Sequence, residues 1–143
     1  MYITLEADYA LRIVHTLASS EDRMDAKAIS EKTGVTLRFS LKILRKLVPT
    51  GMVKSYRGFA GGYEIAKPPE EITVYDVLSQ IEGPLTLNRC VLEDSECTRV
   101  PDKNCPYHYL FKHVTDQIKA QLSSVTIADV LKGVKEDQPL LPL

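Results

Sequence analysis

A mainly α-helical fold carrying one small β-hairpin is what this 143-residue chain predicts, on three observations. Apolar residues recur at spacings of three and four over several stretches that open on a capping residue. A single glycine-rich connection, RGFAGG, separates two short β-type runs. A polar segment without periodicity, from about Gly83 to Asn104, then leads into one long periodic stretch.

The first helix is expected from about Thr4 to Ser19, with Leu5, Tyr9, Ile13, Val14 and Leu17 on its apolar face. Asp25 reads as the N-cap of a short helix, AKAISEKTG, that Gly34 ends in the left-handed conformation. Thr36 caps a third helix, LRFSLKILRKLV, closed by Pro49 and Gly51. Leu37, Leu41, Leu44 and Val48 form its expected inner stripe, and Arg38, Lys42 and Arg45, with Lys46 beside them, its outer one. Phe39 falls on the cationic side, either touching thymine methyls or filling a buried corner. MVKSY and YEIA then make a hairpin with Arg57 near its tip.

Two helices joined by a tight turn and followed by a basic hairpin are the winged helix-turn-helix arrangement. Its second helix enters the major groove, and its hairpin lies along the backbone or in the minor groove. Thr73 and Asp76 cap a further helix, VYDVLSQIEG. The long helix is expected from about Pro106 to Ser124, with Tyr107, Leu110, Phe111, Val114, Ile118, Leu122 and Val125 as a stripe that packs against a second copy of the chain or onto its own domain. Thr126 caps a last short helix, IADVLKG. The chain thus divides into a DNA-binding domain (1–82), a cysteine loop (83–106), a dimerisation helix with a short terminal helix (107–133) and a tail (134–143).

Charge sharpens this reading. Residues 35–63 hold Arg38, Lys42, Arg45, Lys46, Lys54 and Arg57 and no acidic residue, while the net charge of the whole chain is −1. A basic module inside an otherwise acidic protein points to a local polyanion site. Thr36, Arg38, Phe39, Lys42 and Arg45 of the helix and Lys54 and Arg57 of the hairpin are the candidate DNA contacts. No apolar run suits a transmembrane helix and the N-terminal residues lack the form of a signal peptide, so a cytoplasmic protein without membrane contact is expected. No nucleophile–base pair, phosphate loop or paired carboxylate site stands out, so no enzyme is expected.

All three cysteines, Cys90, Cys97 and Cys105, lie in the patternless segment, with spacers of six and seven residues. Four readings compete. Three unrelated buried thiols fit poorly, because the neighbouring EDSE and PDKN are polar. A zinc site favours shorter spacers. A thiol switch needs only one pair and a resolving thiol. An iron–sulfur cluster takes thiolate ligands from a loop of irregular spacing. Three thiolates leave one position open; His108, with two residues between it and Cys105, and Asp8, from the first helix of a partner subunit, are the candidates. His15 and His113 read as packing or solvated side chains.

EADYALRIVHTLAS, DAKAISEKTGV, the run from LKILRKLV through the hairpin to VYDVLSQIEG, and the three-cysteine loop together resemble the Rrf2 family over about residues 1–133. The hairpin GMVKSYRGFAGGYEIAKPP is the most specific piece. The resemblance implies a homodimeric winged-helix repressor whose cluster state sets DNA affinity, with Cys90, Cys97 and Cys105 as cluster ligands. His108 matches the histidine ligand of IscR-type members, which implies a 2Fe–2S cluster. Asp8 matches the aspartate ligand that NsrR-type members take from the other subunit, which implies 4Fe–4S. Two departures stand out: the cysteine spacers are longer than the family's, and Ser40 and Leu41 replace an acidic residue and a leucine of IscR-like recognition helices.

Overall fold

The computed structural model describes residues 2–99 and 104–133; the expected tail lies outside them. Among the described residues, six α-helices and one two-stranded antiparallel sheet run in the order α1 (Leu5–Ala18), α2 (Ala26–Thr33), α3 (Leu37–Leu47), β1 (Val53–Tyr56), β2 (Gly62–Ile65), α4 (Val74–Glu82), α5 (Pro106–Ser124) and α6 (Ile127–Leu131).

Every α-helix start but that of α5, which opens on Pro106, follows from a side-chain cap. Thr4, Asp25 and Thr36 accept backbone N–H bonds from Ala7, Ala28 and Phe39. Thr73 with Asp76 and Thr126 with Asp129 form full capping boxes, each pair satisfying two N–H groups that a helix start leaves open. Asp129 is held below the ordinary carboxylate range by the Thr126 backbone N–H and then by its hydroxyl. Gly34 ends α2 at φ 72°, as expected.

The core joins Ala10, Ile13, Val14 and Leu17 of α1 to Ile29 of α2, to Ile43, Leu44 and Leu47 of α3, and to Met52, Val53, Ile72 and Val77. Two expected faces are corrected. Leu5 is exposed, and α1 buries Ala7 and Ala10 instead. On α3 the buried residues are Ser40, Ile43, Leu44 and Leu47, while Leu37 is exposed and Leu41 and Val48 are only half-buried. Ser40 can face inward because its hydroxyl donates to the Val35 carbonyl at 3.4 Å.

Ile127 of α6 belongs to this same core. An antiparallel bridge between Thr73 and Thr126 draws it there, with the Val74 N–H donating to Val125 O (2.9 Å) and the Ile127 N–H to Ile72 O (2.8 Å). Residues 125–131 therefore pack with the N-terminal helices. α5 lies against α4 and buries fully only Thr115, with Phe111, Val114, Ile118 and Leu122 half-buried and Tyr107, Tyr109 and Leu110 exposed.

Candidate nucleic-acid interface and cysteine basin

The α2–turn–α3 unit is held at its corner by Val35, which is buried and whose carbonyl also accepts the Ser30 hydroxyl at 2.6 Å. This fixes the outward face of α3. Arg38 and Arg45 are exposed there and make no ion pair among the described residues. Lys42 and Lys46 are differently placed. Both ammonium groups bind one carboxylate, Glu6 of α1, Lys42 to Oε2 at 3.0 Å and Lys46 to Oε1 at 2.5 Å. These bonds, that of Lys46 foremost, hold Glu6 below the ordinary glutamate range. Phe39 lies between the two expected extremes: 42% exposed, its ring edge-on to Tyr9 at 6.0 Å, with the Lys42 ammonium 5.9 Å from its centre. Thr36 is exposed and caps α3.

The hairpin pairs Val53 with Ile65 and Tyr56 with Gly62. It is pinned to the chain before α2, where Met24 and Tyr63 exchange both backbone hydrogen bonds (3.0 and 2.8 Å). Gly62 is required at this junction: its φ is 145°, and a Cβ would stand 2.8 Å from Met24 O. Lys54 and Arg57 are exposed, and Lys54 reaches over the Tyr56 ring (5.0 Å). Arg23 stacks on that ring at 3.3 Å and pairs with Glu64 at 3.7 Å, and the Tyr56 hydroxyl donates to Glu64. Arg23, Glu6 and the wing-tip Phe59 were not singled out by sequence. The first two act across long chain separations; Phe59 is an aromatic between glycines, a signal that was open to reading.

Cys90, Cys97, Cys105 and His108 all line one open basin of about 1210 Å³. Cys90 sits in a short 3-10 turn opened by Asn88, whose side chain accepts the Cys90 N–H. Cys105 is buried at the N-terminal end of α5, one turn ahead of His108. Cys97 is exposed, and no disulfide joins the three. The segment's start is tied down by the Leu87 N–H, which donates to the buried Thr115 hydroxyl at 3.2 Å. A donor set of three thiols and one imidazole fits an iron–sulfur cluster. Among the described residues no three His, Cys, Asp or Glu side chains are gathered closely enough to hold a single metal ion. Asp8 lies outside the basin and pairs with Arg12 at 2.8 Å.

Residues 3–133 match the Rrf2 family, described as iron-dependent transcriptional regulator. The chain belongs to the Rrf2 family. A curated relative, the HTH-type transcriptional regulator IscR of Photorhabdus laumondii, is 29% identical over 135 residues, 93% of this chain and 80% of that protein. The structure of CymR, the global cysteine regulator of B. subtilis, is similar with a TM-score of 0.74 at 28% identity, covering 94% of this chain and 99% of that one. T. potens IscR gives a TM-score of 0.75 at 26% identity, over 97% and 92% of the two chains. Rrf2 membership makes this chain a transcriptional regulator that binds DNA, and the winged-helix fold expected from sequence is the one observed. No described helix is long and apolar enough to cross a membrane.

Proposed function

We propose that this chain is a homodimeric DNA-binding regulator, a repressor, whose grip on duplex DNA is set by an iron–sulfur cluster held by Cys90, Cys97 and Cys105. The observation that carries this is that all three thiols and His108 line one basin. His108 is the favoured fourth ligand because it shares that basin; the partner subunit's Asp8 is the other candidate. When bound, the cluster supplies iron–thiolate bonds that respond to oxidation and nitric oxide.

The protein's own residues do the rest. Cys105 and His108 join the basin to the start of α5, Leu87 and Thr115 join the segment's other end to its middle, and Glu82, the last residue of α4, accepts the Thr4 N–H at 2.7 Å. Thr4 caps the helix whose Glu6 holds two lysines of α3. Order in the cysteine segment is thereby linked to the recognition helix. Tyr107 and Leu110, three residues apart and both left exposed on α5, supply an apolar strip for a second copy. Arg38, Arg45, Lys42 and Phe39 of α3 with Thr36 at its cap meet the major groove, and Lys54 and Arg57 anchor the wing on phosphates.

The test is anaerobic purification followed by visible absorbance, iron and sulfide counts, and DNA affinity before and after cluster removal. A brown protein whose affinity shifts by about 5- to 150-fold on cluster loss is expected. His108→Ala is expected to destabilise the cluster; loss with Asp8→Ala instead transfers the fourth position to that residue. Identical DNA binding with and without the cluster refutes the proposal. A cluster-free thiol switch is the second reading, supported by the likeness to CymR and by the exposure of Cys97. Its signature is a colourless protein whose DNA binding follows thiol–disulfide exchange. Stoichiometric zinc in a colourless protein identifies a structural metal site instead.

A further inference from the structure

The tip of the wing carries an aromatic side chain fully open to solvent: Phe59 has a relative exposure of 110%. The backbone beneath it is closed tightly. The Gly61 N–H donates to Gly58 O at 3.0 Å, Gly58 takes φ 92°, and a Cβ on Gly61 would stand 2.6 Å from Tyr56 O and 2.8 Å from Gly58 O. The base of the wing is equally fixed, by the Met24–Tyr63 bridge and by Arg23 stacked on Tyr56. Phe59 is thus held on a braced arm. Around it the arm is cationic: Lys54 and Arg57 are exposed, and the hairpin's one carboxylate, Glu64, is engaged by Arg23 and the Tyr56 hydroxyl.

An apolar ring projected from a cationic, rigid hairpin suits a nucleic-acid groove. The cations hold the backbone, and the ring slides between bases and partly unstacks them. Steps that deform easily, TA and CA/TG, accept such a ring at least cost. A protein partner would call for a contiguous apolar patch, whereas the residues flanking Phe59 at the tip are Arg57, Gly58, Ala60 and Gly61.

We propose that Phe59 is a DNA wedge that enters the minor groove beside the site read by α3 and selects a deformable pyrimidine–purine step without hydrogen-bonding to it. This rests on the DNA-binding function of the family. The experiment is selection of bound sequences from duplexes with a randomised core, using the full chain purified anaerobically, followed by fluorescence-energy-transfer measurement of bending on the selected duplex. Wild-type protein is expected to enrich a TA or CA/TG step at a fixed offset from its major-groove positions and to bend the duplex. Phe59→Ala should lose both and bind about tenfold more weakly. Its salt dependence should stay unchanged, because no charge is removed, and Phe59→Leu should retain the step preference. Arg57→Ala should keep the preference but reduce the salt slope by about 1. If Phe59→Ala enriches the same step and bends the duplex equally, the wedge is refuted while DNA recognition stands. If wild-type protein binds none of the duplexes, the DNA-binding reading fails and the wedge with it.

Discussion

If α3 grips DNA as proposed, Glu6 competes with its phosphates for Lys42 and Lys46. Each of its oxygens takes one lysine of α3, so replacing it by glutamine releases two recognition-helix cations at once. The lysine side chains are 53% and 40% exposed and Glu6 22%, which after solvent screening limits each pair to roughly 0.5–1 kcal/mol. Opening both before DNA binds therefore costs about 1–2 kcal/mol, a factor of roughly 5–30 in affinity. Glu6→Gln should bind a mixed-sequence duplex more tightly by that factor. A carboxylate stripped of its lysines also takes up a cation, which offsets part of the ion release from DNA. Without it the plot of log affinity against log salt should steepen by about 1 per subunit. Fluorescence anisotropy between about 50 and 200 mM salt reads both quantities. In a Lys42→Ala, Lys46→Ala background the same substitution should do almost nothing, which separates a specific clamp from a general change in charge. If Glu6→Gln folds with full helical signal and leaves affinity and slope unaltered, the reasoning is wrong.

Three further outcomes are expected. Ile127→Ala should cost about 2–5 kcal/mol in urea unfolding, as a core deletion does and a substitution in a detached terminal helix would not. Gly62→Ala should cost about 1–3 kcal/mol, because φ 145° and the Met24 carbonyl both oppose a Cβ; weakened DNA binding should accompany it. On acid titration, the depressed Glu6 carboxyl contributes stability that is complete above its ordinary value and lost as pH falls through the lowered one. Wild type should thus fall more steeply than Glu6→Gln in that acid window and converge with it below, in a pH series of thermal melts.

The parts of this fold that sequence made legible are those decided within one turn of chain. Thr36, Asp25 with Gly34, and the Thr73–Asp76 pair mark helix ends because each cap and its hydrogen-bond partner lie within one turn of chain. The face of α3 was harder. Leu37, Leu41, Ile43, Leu44, Leu47 and Val48 allow two overlapping stripes, and the choice is made by Ser40, whose hydroxyl finds the Val35 carbonyl and so lets a polar residue turn inward. The Glu6 clamp spans 36 and 40 residues of chain and has no local signature. The same holds for the bridge between Thr73 and Thr126, which brings α6 into the core. The cysteines were visible as candidates from their clustering; their gathering with His108 around one basin depends on how the segment folds back on α5.

That bridge has a consequence for how the molecule is wired. Residues 83 to 124 leave the N-terminal core at the end of α4 and return to it beside the start of that same helix. The thiol segment and α5 together form a lasso with both feet in one anchorage. Neither foot hangs free, so a change in the order or length of the lasso is felt at that one anchorage, where Glu82 at the end of α4 also holds the Thr4 N–H.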